Sequence, residues 1–185
     1  MHLTKDNLVI RAFDWSQWRP LWQLRLRHLA EEGIVLDEAT AIPTEPEELG
    51  DDDQEWDFNH IDSVYLRGAG WFWLAWLDGE PAGHIGAQDL GQGGIELRAM
   101  YVARELRRRG IGAALMRELL RHCTAGGAHV VELWTAVDGP GRKLYEPFGF
   151  RQVPEPGPEF AGVAELTHFT PGEDEIRMRL DLVKS

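Results

Sequence analysis

Three consecutive arginines, Arg107, Arg108 and Arg109, run directly into Gly110, Ile111, Gly112 and Ala113, where an apolar helical pattern begins. This order of residue types suits an anion. A helix start presents unpaired backbone N–H groups and about half a positive charge from the helix dipole. Two glycines there let a phosphate approach the main chain closely. Neighbouring guanidiniums can add charge-assisted hydrogen bonds. The segment is neither GxxxxGK[ST] nor GxGxxG, which disfavours nucleoside triphosphates and dinucleotides. Taken alone, it also reads as an exposed arginine run ahead of an ordinary helix.

The elements around it are legible from periodicity. NLVIRAF (7–13) alternates as a strand. Asp14 or Ser16 caps a helix whose apolar side is Trp18, Leu21, Trp22, Leu24, Leu26 and Leu29, with Gly33 closing it. The stretch 42–62 is acidic and interrupted by proline and glycine, and reads as loop and broken helix. GWFWLAWLD (70–78) turns at Asp78-Gly79 into EPAGHIGAQDL, a hairpin, and GGIELRAMYVA (93–103) adds a third strand. Ile111, Leu115, Met116, Leu119, Leu120 and Cys123 mark one side of the next helix, which stops at Gly126-Gly127. HVVELWTA (129–136) is a buried strand, 142–147 a short helix, GFRQV a strand start, and IRMRLDL (176–182) a clean alternation. Hairpins followed by one β-α-β unit predict a mixed α/β (α+β) fold.

At 185 residues the chain fits one domain, with an acidic loop at 42–62 and a long loop at 154–174. Acidic side chains number 31 against 19 basic ones, which argues against a nucleic-acid binder. No run has the apolar length of a membrane span, and MHLTKDNLVIRAF lacks the layout of a signal peptide. One cysteine, Cys123, permits no intrachain disulfide and is compatible with a cytoplasmic setting. The histidines and Cys123 show no metal-ligand spacing, so no metal is expected.

Two stretches together, ELRAMYVARELRRRGIGAALMRELL and ELWTAVDGPGRKLYEPFGF, resemble the GNAT superfamily of acetyl-CoA-dependent N-acetyltransferases. Arg107, Gly110 and Gly112 occupy its R/Q-x-x-G-x-G/A pattern at a strand-to-helix turn. Tyr145, Gly149 and Phe150 match N-x-x-A-x-x-x-Y-x-x-x-G-F, with Asp138 and Gly141 departing from it at the Asn and Ala positions. The resemblance implies a mostly antiparallel central sheet with a strand splay and flanking helices, and acetyl-CoA as co-substrate. It implies that backbone groups of Met100, Tyr101 and Val102 meet the pantetheine arm. Arg108, Arg109, Gly110, Ile111, Gly112 and Ala113 would supply N–H groups to the diphosphate, and Asp138 would stand at the pantetheine-contacting position. By the same resemblance Tyr145 is the general acid that protonates the departing thiolate, and Glu96 the candidate general base. His84, whose ordinary pKa lies near neutrality, is the alternative base.

The implied reaction is direct attack of a primary amine on the thioester. A non-catalytic acyl-CoA sensor or structural module is the rival reading. For the acceptor, Glu45, Glu47, Glu48, Asp51, Asp52, Asp53, Glu55, Asp57 and Asp62 lie among Trp56, Phe58 and Tyr65. Carboxylates beside aromatic faces suit a cationic amine on a small molecule or peptide. A mobile acidic loop is the plainer reading of the same residues. The length of 154–174 suggests a cover over the site or a homodimer contact.

Overall fold

A computed structural model of the protein describes residues 7–37, 56–154 and 174–182. The acidic residues Glu45 to Glu55 and most of the 154–174 connection lie outside the described residues. The described chain forms strands β1 (Leu8–Ala12), β2 (Trp71–Leu77), β3 (Glu80–Gly91), β4 (Gly94–Val102), β5 (Val130–Ala136), β6 (Arg151–Val153) and β7 (Glu175–Asp181). The helices are α1 (Trp18–Glu31), α2 (Trp56–Asn59), α3 (Ile61–Val64), α4 (Ile111–Ala125) and α5 (Pro140–Tyr145).

The strands make one seven-stranded sheet in the order β1-β2-β3-β4-β5-β7-β6. Every neighbouring pair is antiparallel except β4 and β5, which α4 connects as a parallel crossover. The mixed, mostly antiparallel sheet expected from the sequence is therefore the one formed. Both hairpin turns are built by left-handed residues: Asp78 and Gly79 (φ 52° and 91°), then Gln92 and Gly93 (φ 50° and 78°). Two successive positive-φ residues give the turn whose twist matches the paired strands.

The aromatic run of β2 makes sense once both faces of the sheet are covered. Trp73, Ala75 and Leu77 point into the core under α4, with Ile85, Ile95, Leu115, Leu119 and Leu133. Phe72 and Leu74 point the other way, into a second core with Leu21, Trp22, Phe58, Ile61 and Tyr65. A strand apolar on both sides is what a sheet sandwiched between helix layers requires. At the far end, IRMRLDL alternates as expected, but its polar side is not all solvent-facing. Arg177 is buried and ion-paired to buried Glu132 on β5, with Nη1 also donating to Pro154 O at 3.2 Å.

Two local differences from the sequence reading have simple causes. The short helix begins at Pro140 rather than Arg142, because proline's fixed φ and missing N–H suit a first helical turn. It tightens into a 3₁₀ turn at Glu146–Phe148 before Gly149 (φ 94°) reverses the chain. Asp14 caps a 3₁₀ turn, Trp15–Gln17, that leads into α1, accepting from Ser16 N at 2.8 Å.

Close β3–β4 packing also depends on glycine: a Cβ on Gly83 would stand 2.5 Å from Tyr101 O. Gly83→Ala should therefore destabilise the fold by about 1–3 kcal/mol, the usual cost of overpacking. Urea unfolding should show a lower midpoint at unchanged slope.

Candidate functional site

β4 and β5 pair at only three positions: Gly94↔Val130, Ile95↔Val131 and Glu96↔Glu132. Beyond Glu96 they separate, although β4 continues to Val102 and β5 to Ala136. The divergence coincides with a bulge in β4. On β3, His84 faces Tyr101 and Gly86 faces Arg98, so Ala99 and Met100 together stand against Ile85. Ala99 takes a left-handed φ of 48°, uncommon for a residue with a Cβ.

A cleft of about 770 Å³ opens beside the freed half of β4. Its floor includes Met100, Tyr101 and Val102, its end wall Arg107, Arg108 and the α4 start at Gly110, Ile111, Gly112 and Ala113, and Tyr145 stands on the α5 side. Nine of the eleven residues assigned by sequence to the co-substrate thus gather on one cavity. Arg109 and Asp138 do not line it; both are exposed, Asp138 in the turn after β5. Pro140, Lys143 and Leu144 of α5 and His28 of α1 line the cleft without having been anticipated. Their signal is tertiary: only the crossing of α5 past the α4 start brings Leu144 beside Gly112.

The helix start is built to receive something. Gly110 holds φ 83° as the cap residue, and no side chain caps α4. The first helical hydrogen bond is Ala114 N to Gly110 O at 3.0 Å, so the N–H groups of Ile111, Gly112 and Ala113 precede it. A Cβ on Gly112 would meet Met100 Cε at 3.3 Å and Leu144 at 3.4 Å, narrowing the cleft where β4, α4 and α5 converge. An uncapped fifteen-residue helix whose first turn is glycine-lined fits a diphosphate.

The three arginines divide. Arg107 turns away from the cradle: its Nε donates to Val102 O at 2.9 Å and its Nη2 to Glu31 Oε2 at 2.5 Å. Glu31, at the end of α1, also accepts from Tyr101 OH at 2.8 Å and from Arg104 N at 3.2 Å. One carboxylate therefore ties α1 to the end of β4 and to the loop before α4. Burial works against its charge, but the hydrogen bonds from Tyr101 and Arg107 hold the Glu31 carboxyl below its usual value. Arg108 and Arg109 are exposed, and Arg108 holds φ 62°.

Tyr145 is buried, its ring 5.9 Å from that of Phe150, and burial raises its phenol. Gly141, the departure from the usual alanine, is required by this packing: a Cβ there would stand 2.6 Å from Thr135 Oγ1 and 3.1 Å from Tyr145 Cε2. Glu96 is not on the cleft wall. It sits at the last paired position of the splay, on the sheet face opposite α4, where Arg98 Nη1 is 3.8 Å from its Oε2. Burial lifts its pKa to about 7, with Arg98 opposing and Asp57 and Glu132 adding to the rise.

His84 is unsuited to act as a base. It is buried between Phe72, Phe58 and Tyr101, and burial lowers its pKa to about 3. Its Nδ1 is hydrogen-bonded to Ala99 O at 2.5 Å.

Of the aromatic residues expected to face a cationic acceptor, Phe58 and Tyr65 are internal. Tyr65 is fully buried with its hydroxyl donating to Asp57 Oδ2 at 2.9 Å, and Phe58 packs in the core with Arg25 over its ring at 5.9 Å. Among the described residues no cluster of three or more His, Cys, Asp or Glu could hold a metal, and no helix is long and apolar enough to cross a membrane.

A family model, Acetyltransferase (GNAT) family, matches residues 19–150. The chain is 34% identical over 157 residues to an N-acetylaspartate synthetase of Xenopus tropicalis, covering 83% of this chain and 50% of that protein. It is 36% identical over 102 residues to the Danio rerio protein of the same name, covering 54% of this chain and 36% of that one. The chain thus spans half or less of the curated relatives it matches. Among solved structures it resembles a GNAT-family acetyltransferase from Staphylococcus aureus Mu50, with TM-score 0.72, 22% identity, and 96% and 100% of the two chains covered. It also resembles the PaiA N-acetyltransferase of Thermoplasma acidophilum in complex with coenzyme A, with TM-score 0.64, 17% identity, and 95% and 99% covered.

The Glu31 hub makes a pH-dependent prediction. A carboxyl whose folded pKa is depressed stabilises above its unfolded value, and that contribution is lost as pH falls through the folded one. Glu31→Gln should be less stable than the parent at pH 7, on the order of 1 kcal/mol for a part-exposed pair. The difference should shrink on acidification below pH 4.5, the usual glutamate value. Urea midpoints at the two pH values decide it.

Proposed function

This chain belongs to the GNAT family of acetyltransferases, and on that premise we propose that it moves an acetyl group from acetyl-CoA to a primary amine by direct attack in a ternary complex. The observation that carries the reading is the convergence on one cleft of the separated half of β4, the uncapped glycine-lined start of α4, and Tyr145. Ile111, Gly112 and Ala113 would hold the diphosphate through their N–H groups, with Arg108 at the rim. Backbone groups of Met100 to Val102 would align the pantetheine arm, and an N–H there would draw charge from the thioester carbonyl. Arg107 would act through the loop it anchors.

In this reading Tyr145, on the α5 side of the cleft, protonates the departing thiolate, the role its motif position implies. Glu96, at the apex of the splay, takes the proton of the attacking amine through water, and a carboxyl near pKa 7 is well matched to that task. The acceptor is an amine on a small molecule. The names of the two relatives favour an amino acid of the aspartate type over the strongly cationic small-molecule or peptide amine that the acidic stretch suggested. A thioester co-substrate and a single cysteine suit a cytoplasmic setting.

Thiol release from acetyl-CoA, followed over a panel of amino acids, polyamines and peptide amines, tests the reaction and narrows the acceptor. Acetyl-CoA should raise the melting temperature through linkage. Protection without thiol release on any amine would instead favour the sensor reading. Tyr145→Phe should lower kcat by about 10²–10⁴, the usual worth of general acid–base catalysis, while keeping acetyl-CoA protection. Deprotonated Glu96 is the active form, so kcat/KM should climb as pH rises through about 7. Glu96→Gln should lose that limb along with most activity.

A further inference from the structure

His84 is a buried histidine that the proposed mechanism leaves without a task. It lies on β3, directly opposite the β4 bulge, and is 1% exposed. Phe72 stacks on it at 5.7 Å, and Phe58 and Tyr101 pack at 5.4 and 5.6 Å, so the ring is held on several sides. Its Nδ1 meets Ala99 O at 2.5 Å. A carbonyl only accepts, so Nδ1 carries the proton; this fixes the tautomer with a bare Nε2, which is buried and has no hydrogen-bond partner among the described residues.

Ala99 is the residue with φ 48° in the bulge, and the β3–β4 register passes over both it and Met100. All the peptide bonds described are trans. In a trans peptide the carbonyl of one residue and the N–H of the next point to opposite sides. With Ala99 O tethered to the His84 ring, the Met100 N–H turns away from that ring. β5 has separated from the other edge of β4 here, and Met100 lines the cleft.

We propose that His84 is a positioning residue: its Nδ1–H···O=C tether to Ala99 holds the bulge so that the Met100 N–H is aimed into the splay, at the carbonyl that accepts charge during acyl transfer. The aim rests on the acetyl-transfer reading above; the tether itself does not. A left-handed alanine in a strand is unfavourable and persists only where its surroundings over-determine it. The aromatic cage and the Nδ1 hydrogen bond supply that constraint. Releasing the carbonyl lets the peptide rotate back toward the ladder and withdraws the N–H from the splay.

His84→Phe keeps a ring in the cage and removes the donor; His84→Asn places an N–H near the position of Nδ1. His84→Phe should lower kcat about ten- to a hundredfold, the scale of a misplacement near 1 Å, with KM for acetyl-CoA within about threefold. His84→Asn should recover most of kcat. Acetyl-CoA protection against unfolding, retained in both, would show that the fold and cradle are intact. A folded His84→Phe with kcat within twofold of the parent overturns the proposal. So does an Asn variant as impaired as the Phe variant, because the ring and not the donor would then matter.

Long-range ¹H–¹⁵N spectra of the parent protein give a readout independent of activity. The Nδ1–H tautomer, with a slowly exchanging proton, supports the tether. An Nε2–H tautomer overturns it, even if the variants fail to fold. If the parent neither binds acetyl-CoA nor releases thiol, the acetyl-transfer reading fails while the tautomer still decides the tether.

Discussion

The constraint on which the rest depends is that β4 and β5 run parallel for three residue pairs and then part. A parallel pair in mid-sheet normally continues, because unpaired backbone groups inside a protein are unfavourable. Here the parting is packed on both faces. On one, Met100, Leu144 and Gly112 converge so closely that a methyl group would crowd them. On the other, Glu96 and Glu132 stand side by side as the last paired residues, each facing an arginine of its own: Arg98 for Glu96, Arg177 for Glu132. Carboxyls buried side by side are tolerated only with such partners. The apex of the gap is thus held by paired side chains, and β4 and β5 diverge beyond it.

Two contacts hold the free half of β4 in place, one at each end. His84 takes the carbonyl of the bulge, and Glu31 takes Tyr101 OH, Arg104 N and the Arg107 guanidinium at the strand's exit. Between them lie the backbone groups assigned to the co-substrate. The arginine run gains a different meaning from this. Arg107 is structural: it bridges Val102 O and Glu31 and lies 5.9 Å over the Tyr101 ring. On the proposed reading the cradle is main chain, and a strongly acidic protein would form it without a broad basic face.

What could be read from the sequence was local. The turns at Asp78-Gly79 and Gly126-Gly127, the apolar stripe of α4, the buried strand β5 and the strand–glycine–helix transition each depend on neighbouring residues, and each formed as read. The contacts that shape the site are not local. Glu31 lies 70 to 76 residues from the groups it accepts from, and His84 lies 15 from Ala99. No periodicity encodes such pairs. Gly141 illustrates the limit differently: in sequence it was a departure from a motif, but in the fold Thr135 Oγ1 and Tyr145 leave no room for alanine. The described end of the acidic stretch shows the same limit. Asp57 and Tyr65, counted as a surface for cations, turn inward to Arg98.

That inward turn bears on the ionisation of Glu96, the base in the proposed mechanism. Desolvation raises Tyr145 and Glu96 alike, yet with different chemical consequences. A phenol pushed upward stays protonated and becomes a weaker acid; a carboxyl lifted to about 7 still ionises near neutrality and holds a proton more firmly than an exposed glutamate would. The extent of the lift depends on Arg98, whose nearby charge would otherwise pull Glu96 back down. Asp57 Oδ2 limits that pull by accepting from Arg98 Nε at 3.0 Å, with Nη2 at 2.7 Å, while Tyr65 OH secures the same oxygen. A chain of three side chains, Tyr65 to Asp57 to Arg98, therefore sets how much positive charge Glu96 feels. On the proposed mechanism, the end of the acidic stretch and the residues just after it contribute through this half-buried relay to the strength of the base.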